Sequence, residues 1–193
     1  MAKIVDQITE FGRNIEQMVG AEIKQNVMAG SEKITNQTKP SKIAAWMQGV
    51  ITRLDELVPE MTRIKIMENC GQNCATVNQN VILQAKARRN KYADLDEFLT
   101  AEQKKPTPGT KLIREGNVLF QSYLPQNYVH PMRCFCSLLR GLPPDEKVSL
   151  TYCHCSKGFV QKYWEAVLER TVTVELLSSV VAGASECRFK ITF

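Results

Sequence analysis

Seven cysteines in 193 residues, six of them in close pairs, are the side chains best suited to chemistry in this sequence. The pairs are Cys70 with Cys74, Cys134 with Cys136, and Cys153 with Cys155. Thiolates are soft and charged; four of them suit tetrahedral zinc or an iron-sulfur cluster, whereas magnesium and calcium favour oxygen. Residues two apart on a strand point to one face, so each Cys-x-Cys would present its sulfurs side by side, and two such pairs would make a four-thiolate cage. Cys134, Cys136, Cys153 and Cys155 are therefore the first-choice ligands. Cys70 and Cys74, four apart, share a face if their segment is helical, and form the competing or additional pair. Gly71 and Asn73 weaken that helix, so the pair could instead sit at a helix start near Asn73. Zinc is the first choice of cofactor and an iron-sulfur cluster the alternative.

Two further readings of the pairs stand beside ligation: small buried hydrophobes in a reduced protein, and a redox-reactive thiol pair. Cys155 precedes Ser156, a good N-cap, which places its sulfur at a helix N-terminus where the dipole lowers a thiol pKa. His154 points away from its flanking cysteines if they share a strand face and reads as structural; His130, four residues before Cys134, is an outside candidate ligand. A cysteine hydrolase needs a thiolate near a histidine and a third orienting group, and only these two histidines exist. The chain has no GxSxG, no phosphate-binding glycine loop and no HExxH. Catalytic residues are therefore left unassigned.

Helices are expected to position the first pair. Ile4, Ile8, Phe11, Ile15 and Met18 fall on one helical stripe, giving a long first helix that runs out near Ala29-Gly30. A second stripe, Ile43, Met47, Val50, Leu54 and Leu57, begins after Ser41 as N-cap and ends at Pro59. The two should pack as a hairpin, and the stripes could also serve a homodimer. Two or three short helices fit residues 61–99. Residues 1–102 thus form a helical region, and residues 103–111, with two prolines and a glycine, form a linker or break.

Strands are expected in the remaining region, 112–193. Residues 111–115 and 117–124 read as a hairpin about Gly116. Cys187, Phe189, Ile191 and Phe193 alternate with Glu186, Arg188, Lys190 and Thr192, a half-buried strand in which Cys187 reads as core. Residues 171–180 are rich in β-branched side chains and should pair with it after a turn at Ala182-Gly183-Ala184. Val160, Trp164, Val167 and Leu168 make a helical stripe that can cover that sheet. The expected fold class is α+β, a helical N-terminal half packed with a C-terminal antiparallel sheet, the two expected to form one integrated domain in the ordinary size range.

Composition narrows the classes. A 44% apolar and 23% charged chain is ordinary globular material. The start lacks the uninterrupted apolar core of a signal peptide, and no apolar run approaches the roughly 20 residues of a membrane span. A soluble, cytoplasmic protein is expected, with reduced thiols and no membrane partner. The +5 net charge is scattered, densest at Lys86, Arg88, Arg89 and Lys91, with no reader helix or interleaved aromatics, so nucleic acid is not an expected partner.

The stretch TYCHCSKGFVQKYWEAVLERTVTVELLSSVVAGASECRFKITF, residues 151–193, resembles the end of the 4-vinyl reductase-type domain, a small-molecule-binding module. The shared outline is a cysteine-containing segment, a glycine-bearing helix, a valine-rich strand with a glutamate, a small-residue turn and C-x-F. Cys153, Gly158, Glu175, Gly183 and Cys187 match it. The outline also looks like cysteine-rich bacterial proteins related to L-2-amino-thiazoline-4-carboxylic acid hydrolases. The first resemblance implies a sensor or carrier with a small-molecule ligand; the second implies opening of a sulfur-containing ring, by Cys155 or a metal-bound water. A metal-free dimeric interaction protein is the third class, and a regulatory metal- or cluster-binding protein is the leading expectation.

Overall fold

The computed structural model describes residues 3–125 and 132–193. His130 lies outside the described residues. Among the described residues, six α-helices precede or interrupt a four-stranded antiparallel sheet, so the chain is α+β, as its patterns imply. No described helix is long and apolar enough to cross a membrane.

Helix α1 spans Ile4–Val27 but breaks at Gly20, whose φ of 86° and ψ of 169° are not helical. The expected single long helix is thus two helical stretches across a kink, because glycine alone takes that conformation without a Cβ penalty. Ile8, Phe11 and Ile15 are buried, while Met18, just before the kink, is exposed. Helix α2, Pro40–Leu57, begins with proline at its first turn after Lys39, so Ser41 is inside the helix rather than its cap. Its stripe from Ile43 to Leu54 is buried against α1, and Leu57 is exposed.

Helix α3, Glu60–Val77, is continuous through Gly71 and Asn73. Helices α4, Gln79–Arg89, and α5, Leu95–Lys104, follow; Asp94 caps α5 by accepting from the Asp96 amide at 2.8 Å. Strands β1, Thr110–Glu115, and β2, Val118–Tyr123, form the expected hairpin, with Gly116 at φ 60° in its two-residue turn. Helix α6, His154–Leu168, leads to β3, Thr173–Ser178, and β4, Cys187–Thr192. The sheet order is β1-β2-β4-β3, with a register irregularity between Leu176 and Ser178.

Two apolar cores result. One joins α1, α2 and α3 to Leu138, Leu139, Leu142, Tyr152 and Val181; the other joins α5 and α6 to the sheet through Phe98, Leu99, Leu119, Trp164, Phe189 and Ile191. Side chains from before and after residues 103–111 contribute to both. Trp164 is oriented by donating its indole N–H to Gln121 Oε1 at 2.7 Å. Fixing one such fully buried aromatic or aliphatic side chain contributes about 1.5–3 kcal/mol, which is why the stripes read from sequence survive as core.

Candidate thiol site

The cysteine pairs reach one neighbourhood by routes other than strands. Cys134 and Cys136 lie in a bend between β2 and α6, a stretch containing Pro143 and Pro144. Cys153 ends a 3-10 turn, Leu150–Cys153, and Cys155 is in the first turn of α6. Neither Cys-x-Cys is in a strand, which corrects the expected side-by-side presentation. Ser149, not Ser156, caps this region by accepting from the Thr151 amide at 3.3 Å; the buried Thr151 and Tyr152 draw the chain into a helical turn before His154.

Close packing of α3 on α6 brings the second-half cysteines to the first-half pair. A Cβ at Gly71 would lie 1.8 Å from the Cys155 carbonyl oxygen, and one at Gly158 would lie 2.1 Å from the Glu68 carbonyl oxygen. Only glycine permits this approach, so Gly71 does not interrupt the helix but sets its contact. Phe135, between Cys134 and Cys136, meets Tyr123 edge-on at 5.9 Å between ring centroids, and Tyr123 in turn meets Phe189 at 5.3 Å. Those rings fasten the bend to the sheet.

Cys136 is the common neighbour. Cys70, Cys74, Cys134, Cys153 and Cys155 each lie near enough to it that two ionised groups would repel, as does Tyr152, which also hydrogen-bonds it. All seven cysteines are free thiols. Burial pushes Cys70 up from 9.0 to about 12, opposed by a hydrogen bond from Asn14 and reinforced by Glu10, Cys136 and Cys74. Burial likewise pushes Cys153 to about 12, and raises Cys74, Cys134 and Cys155, the neighbouring thiolates adding to the effect. The expected lowering of Cys155 by the helix N-terminus is therefore overturned: loss of solvent outweighs the dipole there.

N–H and O–H groups are aimed at the sulfurs. Asn14 Nδ2 donates to Cys70 Sγ, Asn78 Nδ2 to Cys74 Sγ, the Cys136 amide to Cys134 Sγ and the Val180 amide to Cys187 Sγ, each at 3.4 Å. Ser179 Oγ, fully buried, lies 2.7 Å from Cys153 Sγ. Asn14 itself is held in a chain, since Asn73 Nδ2 donates to both Asn14 Oδ1 at 3.4 Å and Glu10 Oε1 at 3.0 Å. Such donors favour the ionised sulfur when a cation is present to offset burial.

The cluster is nonetheless not a finished cage. Among the described residues, no three Cys, His, Asp or Glu side chains are arranged to hold a metal ion. Cys153 turns to Ser179 rather than joining a closed four-sulfur set with Cys134, Cys136 and Cys155. His154 keeps Nδ1 buried without a partner among the described residues, and burial lowers its pKa, so it is held neutral. Cys187, read from sequence as core, is half-buried at the margin of the cluster, where Cys134 and Cys153 feel its charge. Sequence spacing carries no signal for Cys187, Ser179 or Asn14, because each arrives through tertiary register.

The model of a family described as a family of unknown function, DUF6144, matches residues 2–193. No curated protein matches the chain. Among solved structures, the chain is similar to the NMR structure of a mutant H-NOX domain from Shewanella oneidensis in the Fe(II)CO ligation state, with TM-score 0.49 and 11% identity over 100% of this chain and 98% of that one. It is also similar to a crystal structure of an H-NOX protein from S. oneidensis in the Fe(II)NO ligation state, with TM-score 0.47 and 11% identity over 99% and 98% of the two chains.

Proposed function

We infer, for a chain that belongs to the DUF6144 family of unknown function, that it is a regulatory protein taking up a soft metal at the thiols gathered around Cys136. The observation that carries the reading is the convergence of Cys70 and Cys74 from α3, Cys134 and Cys136 from the bend, and Cys155 from α6 on one partly enclosed place. Neutral thiols at Cys70, Cys134, Cys136 and Cys155 can be half-buried cheaply beside the exposed Cys74, but their ions repel one another, so only a cation can ionise several together. Zinc is the first choice and an iron-sulfur cluster the second, since both displace protons from sulfur.

Because no set of ligands is drawn together among the described residues, uptake requires the bend at Cys134–Cys136 to move toward α3 and α6. Metal occupancy would then set how the two halves of the chain are joined, which favours regulation over catalysis. The ring-opening alternative is less well supported: Cys155, with its pKa raised by loss of solvent, is a poor nucleophile at neutral pH, and burial leaves His154 neutral with no orienting partner at Nδ1 among the described residues.

The test is metal and sulfide analysis, with an absorption spectrum, on protein purified without air. About one zinc per chain, or iron with acid-labile sulfide and a brown colour, is expected. A folded protein that purifies without metal and takes up neither zinc nor a reconstituted cluster would overturn the reading.

A further inference from the structure

A cleft of about 570 Å³ opens where the segment before α6 meets the connection between β3 and β4. Arg133, Arg140 and Lys147 line it together with apolar surface from Met132, Leu142 and Val180, and none of its described lining residues carries a carboxylate. The volume lies in the range of about 300–1,000 Å³ that holds small organic ligands. Like charges gathered in a concavity repel one another and create a field that an entering anion relieves.

Arg133 forms the built part of this cleft. Its Nη1 donates to the carbonyls of Pro143, at 2.8 Å, and Pro144; its Nη2 donates to those of Glu146, at 2.9 Å, and Val180, at 3.4 Å. The guanidinium therefore ties the 143–146 turn to the β3–β4 connection and leaves a fixed positive charge there, while its Nε is buried with no partner among the described residues. Arg140 donates to the Phe135 carbonyl at 3.1 Å. Neither Arg140 nor Lys147 forms an ion pair among the described residues. Glu146, beside Lys147, directs its carboxylate to Gln48 Nε2 at 3.0 Å and so does not neutralise the cleft.

We propose that this cleft is a binding site for an organic carboxylate with an apolar tail, the head group meeting Lys147 and Arg140 and the tail lying on Leu142 and Val180. The apolar wall sets it apart from a site for a bare inorganic anion, and the site stands independently of metal uptake at the thiols.

Isothermal titration with octanoate, octanol and inorganic phosphate, on the protein as purified, tests the assignment. Octanoate is expected to bind saturably, and more tightly than either octanol or phosphate. K147Q and R140Q should each weaken octanoate by about tenfold, the loss of one charge-assisted contact, with an unchanged circular dichroism spectrum. Absence of octanoate binding, equal binding of octanol, equal binding of phosphate, or unchanged affinity in both variants would each overturn the proposal.

Discussion

Gly71 and Gly158 hold reciprocal positions at the crossing of α3 and α6: each stands three residues after the carbonyl that a Cβ on the other would strike, Glu68 in one direction and Cys155 in the other. The obstacle is backbone on both sides and cannot step aside as a flexible side chain would. Gly71→Ala and Gly158→Ala are each expected to destabilise the protein by about 3 kcal/mol, the upper end for overpacking. Urea denaturation measures this; a loss below about 1 kcal/mol would show that the helices can separate freely. Metal content of either variant should fall as well, because Cys70 and Cys155 are carried on the helices that part.

The raised thiols predict a pH dependence of stability in metal-free protein. Cys70 and Cys153 move from 9.0 to about 12 on folding. Below pH 9 both states hold the protons and the contribution is constant. Between pH 9 and about 12 the unfolded chain loses protons that the folded one keeps, so stability falls as pH rises. Denaturation midpoints measured across this window should decline, and Cys70→Ser and Cys153→Ser should each flatten the slope.

Metal uptake should discriminate among the cysteines. Cys136→Ser removes the common neighbour and is expected to abolish stoichiometric binding, whereas Cys187→Ser, at the margin, should retain it. Affinity for zinc should also increase from pH 6 toward pH 9, since binding must displace thiol protons. Competition with a chromophoric chelator reads both effects; equal affinities for the two serine variants would contradict the central place given to Cys136.

Asn14 is expected to matter beyond its size. It is buried, donates to Cys70 and accepts from Asn73. Asn14→Leu leaves the Asn73 donor with only Glu10 and takes a donor from the sulfur, at an expected cost of about 1–3 kcal/mol. Reduced thermal stability together with slower zinc uptake is the anticipated result, and Asn14→Asp should rescue neither, because it places a negative charge beside a thiol.

Much of the scaffold is legible from periodicity. The stripes in α1, α2 and α6 and the alternation in β4 became core because burial of an amphipathic face is a local property of the sequence. The hairpin about Gly116 is equally local. The site is different. Cysteine pairing in sequence identified the thiols but misread their geometry, since Cys134 and Cys136 occupy a bend and Cys153 and Cys155 enter a helix. Gly71 looked like a weakness in α3 and is a contact requirement, which becomes visible only when α6 lies against it. The helix-end effect expected at Cys155 was reversed by burial, a quantity that depends on every element around it.

The strand order leaves β1 and β3 as the two open margins of the sheet. Unpaired strand margins invite another chain to add on and propagate into an aggregate. Here β1 presents Lys111, Arg114 and Glu115, while β3 carries Glu175 and a broken register between Leu176 and Ser178. An incoming strand would meet charge on one side and a misaligned ladder on the other. Those features discourage fibrous stacking of the protein even though Ile113 and Leu177 remain exposed on the same margins.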